Sequence, residues 1–476
     1  MHNLIPRPVS VAPNGQSFKL AADTVIYLAS EPAEVRAIAE YLSALIWQES
    51  GWQLPVLETL PVGENVRAIR MQLQGGLGAE EYSLSVESAS ISIKASQPAG
   101  LFYAIQTLRQ LFSARLEIPG GLIEDAPRFA WRGAMLDLGR HFFGVEHVRR
   151  FIDLMALYKL NRLHLHLTDD QGWRIMIKSW PKLAEIGGQT AVGGGAGGYF
   201  SQDEFTGLVE YARSRYIEVV PEFDMPGHTN AALVAYPELN GPGAAPGLYS
   251  GIEVGFSSLR PTDELTYRFI DDVIGELAAL TPGPYIHIGG DEAHSTNEDE
   301  YRVFIERAQQ IVLSHGKLPL AWADIGQAPV LPGTLVQHWF GDGVLKAMKQ
   351  GAKVILSPAN RTYLDMKYDA DTKLGLKWAG CISVREAYDW QPETQVDGLG
   401  EDNILGVEAA LWTETIQTMA DVEFMAFPRL AGIAEIGWSP REGRSWDEYR
   451  QRLGKHGRLL SKLGVNFFQS QDVDWE

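Results

Sequence analysis

Two textures of hydrophobic and polar positions divide the chain. Between residue 17 and about residue 115 the pattern reads as a strand in SFKLAADTVIYL, a helix in EVRAIAEYLSALIWQ and a strand in VRAIRMQL, followed by an alternating pair, YSLSVES and SISIKAS, and a helix in AGLFYAIQTLRQLF. Period-two alternation marks strands and a 3.6-residue recurrence marks helices, so this part predicts a small α+β unit. After IEDAPRFAWRG, a proline-containing junction near residue 127, short β-rich runs alternate with longer amphipathic ones. The runs are AMLDL from 134, RLHLHL from 162, IEVVPEF from 217, YIHIGG from 285, PLAWAD from 319, TLVQHW from 334, KVILSP from 353 and ILGVEAALW from 404. Between them lie helical patterns such as VEHVRRFIDLMALYKLN, which sets Val148, Phe151, Ile152, Met155 and Tyr158 on one face.

Eight β/α alternations predict a closed (β/α)8 barrel, the TIM-barrel architecture, although a doubly wound open sheet gives similar local signals. The position of the polar residues favours the barrel. Asp137, Asp169, Asp170, Glu222, Asp224, Asp291, Glu292, Asp324, His338 and Glu414 each lie at or just beyond the carboxyl end of a run. In a barrel those ends converge on one mouth. The chain is therefore expected to divide into an α+β domain over residues 1–127 and a barrel over residues 128–476. The glycine-rich tract at 193–198 lacks the strand-to-helix context of a phosphate cradle and reads as a loop.

Composition narrows the partners. The 476 residues carry 41 Lys plus Arg against 60 Asp plus Glu, a net charge of −19 that argues against non-specific attraction to nucleic acid or anionic lipid. A single cysteine, Cys381, excludes an intramolecular disulfide and an all-cysteine metal cage. No apolar leader and no run of 18 apolar residues is visible, so the expectation is a cytoplasmic protein without a membrane span, or a secreted one if a leader has been trimmed. Oligomeric state is not legible.

The candidate chemistry centres on HIGGDEAH at 287–294. Adjacent strand side chains point to opposite faces, so Asp291 and Glu292 can share a pocket only if the strand has ended. Gly289 and Gly290 permit that turn. A solvated acidic loop at the head of a helix is the plainer alternative.

HIGGDE, with LDLGRHFF at 136–143, LHLHLTDDQGWR at 163–174, GGGAGGYFSQDE at 193–204, PEFDMPGH at 221–228, YLDMKYD at 363–369 and ALWTE at 410–414, resembles the family 20 glycoside hydrolases, the β-N-acetylhexosaminidases. The resemblance implies a substrate-assisted reaction, in which the 2-acetamido oxygen of the sugar attacks its own anomeric carbon to give an oxazolinium ion. It implies Glu292 as general acid and base, with a pKa raised toward neutrality, and Asp291 as the group that orients the acetamide. His228 and Asp169 would form a relay behind Glu292. Tyr363 would bond the acetamido carbonyl, while Trp322, Trp339 and Trp412 wall the sugar. Arg140, Asp365 and Glu414 would hold its hydroxyls, and Trp378 is a loose candidate for a leaving-group subsite. No metal and no cofactor is implied, and the partner is a carbohydrate or glycoconjugate.

Plainer readings stand beside these roles. His228 could be structural, Arg140 could serve only an ion pair, and tryptophans are usually core. His164 and His166, two apart on one strand face, could be metal ligands or could line the barrel and support Asp169. A sugar-binding protein that has lost catalysis is a further rival, although it would be expected to lose the acid first.

Overall fold

The computed structural model describes residues 3–29, 31–60, 66–112, 116–240 and 246–476. The first part is a seven-stranded mixed sheet. Its strands are β1 (Ser10–Lys19), β2 (Val25–Leu28), β3 (Val56–Leu57), β4 (Ala68–Leu73), β5 (Tyr82–Val86), β6 (Ser90–Ala95) and β7 (Glu117–Asp125), ordered β1-β7-β5-β6-β4-β2-β3. The predicted first strand is really two, separated by a turn at residues 21–24. β7 escaped the sequence reading because Pro119, Gly120 and Gly121 break its alternation. Pro119 pairs with Ser17 just where β1 shifts register, and a bulge tolerates a proline. Helices α1 (Ala33–Ser50) and α2 (Pro98–Leu111) contribute buried apolar faces.

The second part is a closed barrel of eight parallel strands. They are β8 (Trp131–Asp137), β9 (Arg162–His166), β12 (Glu218–Glu222), β13 (Tyr285–His287), β14 (Leu318–Trp322), β15 (Leu335–His338), β16 (Lys353–Leu356) and β17 (Ile404–Leu411); β17 pairs with β8 to close the ring. A short ribbon, β10 (Thr168–Asp169) and β11 (Gly172–Trp173), follows β9. All eight predicted runs are barrel strands, and the helical pattern after β8 forms α3 (Val145–Leu157). Among the described residues, no helix is long and apolar enough to cross a membrane.

Both faces of the barrel strands are buried, which is why they read as apolar runs. Outward residues such as Leu163, Leu165, Val219, Ile286 and Val336 join the main core beneath the helices. Inward, Trp131, Val220, Leu320, Leu335 and Ile355 fill one end of the barrel. The next inward layer is polar. Glu222 sits at its centre, buried, where the register sets it beside His166 and His287. Its Oε2 accepts from His164 Nε2 at 2.9 Å and from His166 Nδ1 at 2.5 Å. Its Oε1 accepts from Trp322 Nε1 at 2.9 Å and lies 2.9 Å from His287 Nδ1. A second buried carboxylate, Glu408, receives His164 Nδ1 and Gln337 Nε2, each at 2.9 Å, and Trp131 Nε1 at 2.8 Å.

This layer shows His166 supporting Asp169, while His164, Glu222 and His287 lie close enough together to share a metal ion. Each ring has both nitrogens engaged by carboxylates, His166 through Glu222 and, at 2.9 Å, Asp169. Burial lowers the His164 pKa, but the charge and hydrogen bond of Glu222, aided by Glu408, overcome it and raise the value to about 9. Held in this way, the two rings tie Glu222, Glu408 and Asp169 together across the barrel interior.

The two units are pinned by buried cations. Arg132 on β8 reaches Glu80 at 2.7 and 3.0 Å, and Lys159 reaches Asp125 at 2.8 Å and Tyr82 Oη at 2.9 Å. The guanidinium of Arg132 and the ammonium of Lys159 also lie over the Trp438 ring, 4.9 and 4.5 Å from its centroid.

Glu222→Gln keeps the shape of the hub but removes its charge and sets an amide N–H₂ against groups that donate. It is expected to destabilise the fold by roughly 3–5 kcal/mol, the range for breaking a buried ionic pair on one side. Thermal unfolding of the two proteins at neutral pH measures this, and an unchanged melting temperature would contradict the hub assignment.

Candidate active site

The turn after β13 carries the acidic pair. Gly289 has φ +64° and Gly290 φ +100°, backbone conformations that side chains rarely adopt. Space is lacking as well: a Cβ on Gly289 would lie 1.6 Å from Asp224 Oδ1, and one on Gly290 2.6 Å from Ile325 Cγ2. Gly290 N donates to Asp224 Oδ1 at 3.1 Å. The chain thus turns tightly over Asp224 and delivers Asp291 and Glu292 into the barrel mouth. Asp291 is 8% exposed and the next helix starts only at Glu298, which removes the solvated helix-head reading. Glu292 and His228 are themselves in the left-handed region, with φ of +45° and +56°. Non-glycine residues held there mark sites where the surroundings over-determine the backbone.

His228 faces both acids. Its Nε2 lies 3.4 Å from Glu292 Oε2 and 3.6 Å from Asp291 Oδ2, while its Nδ1 lies 3.3 Å from Asp169 Oδ1. Asp169 in turn bonds His166 at 2.9 Å and pairs with Arg140 Nη1 at 2.8 Å. A continuous chain of alternating acids and imidazoles therefore runs from Glu222 through His166, Asp169 and His228 to Glu292.

Burial opposes the charge on His228, but Asp169 outweighs it, with further support from Asp224, and holds the imidazole well above its ordinary pKa. The same cation acts on the acidic pair. Burial pushes Asp291 up to about 7, against the pull of His228 and with the repulsion of Glu292 added. For Glu292 burial also pushes upward, yet the hydrogen bond and charge of His228 prevail and leave its carboxyl below the usual value. This overturns the expectation of a raised Glu292 pKa in the free protein. The reason is positional: Glu292 keeps a side-chain exposure of 29% beside the imidazolium, whereas Asp291 keeps 11%.

The acids open into a cavity of about 900 Å³ lined by Arg140, Asp291, Glu292, Trp339, Tyr363, Trp412 and Glu414 among others. Trp339 stacks on Tyr363 with centroids 6.5 Å apart and planes at 12°, and its Nε1 donates to Asp324 at 2.8 Å. Arg140 lies over the Trp412 ring, 4.8 Å from its centroid. Asp365 is buried beside Glu414; burial and then their mutual repulsion raise the pKa of Asp365, and burial leads the rise in Glu414. Both oxygens of Asp365 and Oε2 of Glu414 lack a hydrogen-bond partner among the described residues. Buried acceptors left open in this way are poised for donors from a ligand.

This architecture has known counterparts. Residues 129–441 match the family model "Glycosyl hydrolase family 20, catalytic domain", and residues 1–126 match "Glycosyl hydrolase family 20, domain 2". The chain belongs to glycosyl hydrolase family 20. It is 41% identical to a β-N-acetylhexosaminidase of Cellulomonas fimi, over 99% of this chain and 97% of that protein. A family 20 β-N-acetylhexosaminidase from Streptomyces coelicolor A3(2) superposes with a TM-score of 0.96 at 47% identity, covering 100% of this chain and 99% of the other. A mutant Streptomyces plicatus β-hexosaminidase in complex with its product GlcNAc gives 0.96 at 48% identity, covering 100% and 98%.

Within this family 20 chain, the eleven residues singled out from the sequence fall in three positions. Arg140, Asp291, Glu292, Trp339, Tyr363, Trp412 and Glu414 line the cavity. Asp169 and His228 stand behind the acids, and Asp365 is buried beside Glu414 with both carboxyl oxygens open. Trp322 lies outside the lining: it is 1% exposed, bonded to Glu222 and tilted against Trp412 at 5.8 Å, so it forms the floor beneath the cavity. The sequence reading missed part of the lining. Ile252, Val254, Phe340 and Asp397 also face the cavity from segments without strand or helix periodicity, and Asn360 does so from the short helix Ala359–Thr362. Trp378, the leaving-group candidate of the sequence reading, lines the cavity too; it is 54% exposed and packs edge-on against Tyr363 at 5.8 Å.

Because the fold raises the Asp291 pKa, folding favours its protonated form, and the ionised carboxylate is a burden that grows as pH rises from about 4 to about 7. Asp291→Asn is expected to raise the melting temperature by about 2–4 °C at pH 8, with the gain shrinking as pH falls toward 4. Calorimetric scans across that range check the sign; a gain that is largest at low pH would contradict it.

Proposed function

We infer that this chain is an exo-acting β-N-acetylhexosaminidase that removes terminal β-linked GlcNAc or GalNAc with retention of configuration. The observation that carries the reading is that both acids flank one nitrogen of one imidazole. Double displacement uses an acid and a nucleophile on opposite sides of the glycosidic bond. Here the carboxylates share a side, and the nearby cavity walls are largely aromatic, so the acetamido oxygen of the substrate serves as nucleophile. A barrel filled beneath Trp322 and Trp412 supports attack on a chain end rather than on an internal bond.

Arg140, Asp365 and Glu414 take the sugar hydroxyls, with the open oxygens of the two acids as acceptors. The sugar ring lies against Trp412, and the acetamide fits between Asp291 and Tyr363, with Trp339 alongside. Asp291 accepts the acetamido N–H and offsets the positive charge of the oxazolinium ion. Glu292 protonates the leaving oxygen and later takes a proton from water. In the free protein the imidazolium holds the Glu292 carboxyl down while burial holds Asp291 up; a neutral sugar covers the exposed face of Glu292 and raises its pKa by desolvation, while the acetamide favours ionised Asp291. His228 is the counter-charge in both states. The leaving group extends toward Trp378, Phe340, Ile252 and Val254.

Two kinetic outcomes follow from these roles. A 4-nitrophenyl β-glucoside, which carries a hydroxyl in place of the acetamide, is expected to react at least about 10³-fold more slowly than the GlcNAc glycoside, since it lacks the internal nucleophile. Comparable kcat/KM values would overturn the mechanism. Glu292→Gln is expected to lose roughly 10²–10⁴-fold on chitobiose and far less on 4-nitrophenyl-GlcNAc, whose phenolate departs without a proton. Equal losses on the two substrates would move the acid elsewhere.

A further inference from the structure

The two strained residues of the site, His228 and Glu292, sit on different loops, and one segment ties those loops together. Residues 255–259 run between the turn at 226–230 and the turn at 292–296. Ser257, 5% exposed, accepts through Oγ from Thr229 N at 2.9 Å and donates to Asp170 Oδ1. Asp170 Oδ1 also accepts from Asn230 N at 2.9 Å, so the backbone just after His228 is gripped by a serine and a carboxylate. Leu259 N adds a bond to Pro226 O at 2.9 Å. On the other side, Ser295 Oγ donates to Gly255 O at 2.7 Å and lies 3.4 Å from Ser257 O, while Ser258 Oγ and Thr296 Oγ1 are 2.5 Å apart. Gly255 approaches so closely that a Cβ there would lie 2.3 Å from His294 Nδ1 and 3.1 Å from Glu292 O.

From these contacts we propose that Ser257 is a positioning residue for Glu292: it registers the His228 turn against the Glu292 turn and so fixes the 3.4 Å contact between imidazole and carboxylate. The proposal rests on the reading of Glu292 as general acid. His228 precedes a helix that begins only at Asn230, and Glu292 lies in a segment without helix or strand; beside the Thr229 Oγ1 to Pro226 O bond within the first turn, the bonds through Ser257 and Ser295 restrain the two backbones against each other. Asp170 adjoins Asp169, the partner of His228 Nδ1, so the same serine steadies both ends of the imidazole.

The test measures kcat, KM and the pH dependence of kcat/KM for Ser257→Ala, Ser257→Thr, Ser295→Ala and Glu292→Gln on chitobiose and on 4-nitrophenyl-GlcNAc. Ser257→Ala is expected to lose about tenfold or more in kcat on chitobiose, a fraction of full acid assistance, and less than about threefold on the aryl glycoside. KM stays within about twofold, and the limb of the pH profile that reports Glu292 moves upward, because His228 no longer holds that carboxyl down. Ser257→Thr keeps the Oγ and restores most of the rate. Ser295→Ala, which releases only the Glu292 side of the tie from a surface position, shows the same leaving-group dependence in weaker form and decides the matter if Ser257→Ala does not fold. Equal losses on both substrates, or none, in the serine variants overturn the proposal. If Glu292→Gln itself loses equally on both, the general-acid reading has failed instead, and that control separates the two outcomes.

Discussion

One buried carboxylate organises this barrel. Glu222 lies where an apolar interior would leave it ruinously unsolvated, yet it has two imidazoles and an indole as hydrogen-bond donors and a third imidazole alongside. Burial alone would raise its pKa; the surrounding imidazoles reverse the effect and hold it well below the carboxylate range. The donors come from β9 and β14 and the third imidazole from β13, so surrounding a single charge on β12 fixes the relative positions of four strands. A buried charge is tolerable only when its partners are complete, which makes the layer intolerant of partial disruption.

The same layer reaches the chemistry. His166 spends one nitrogen on Glu222 and the other on Asp169, and Asp169 spends its carboxylate on His166, Arg140 and His228. The imidazole that faces the acidic pair is thus anchored, through two intermediates, to the barrel interior. Rigid strands position one side of the active site, whereas the turn bearing Glu292 depends on loop-to-loop hydrogen bonds. The cavity divides accordingly. Its inner end presents Arg140, Trp412 and Glu414 close to strand ends, and its outer end presents Ile252, Val254, Phe340 and Trp378 from irregular segments.

The polar inner layer also explains an ambiguity in the sequence. The alternation of RLHLHL correctly placed His164 and His166 on one face, and from that alone a metal pair and a structural pair are equivalent. Their partners, Glu222 and Glu408, are 58 and 244 residues away from His164, and only the closed ring brings them to it. The pKa of Glu292 went the same way. The adjacent acids were legible as a pair, but which of them would be the more ionised depended on His228 and on unequal burial.

Local patterning, then, determined what local forces decide. The eight strands, the turn that two glycines allow and the residues able to perform acid–base chemistry are all written in short stretches, because strand burial and backbone sterics act over a few residues. Motif order along the chain added the family and its implied roles. The tertiary structure decided what depends on neighbours distant in sequence. It placed Trp322 in the floor rather than the wall, set β7 into a sheet despite its proline and glycines, and set the direction in which His164, His228, Asp291 and Glu292 depart from their ordinary pKa values. Electrostatic and desolvation energies are set by distances through space, and those distances exist only once the ring has closed.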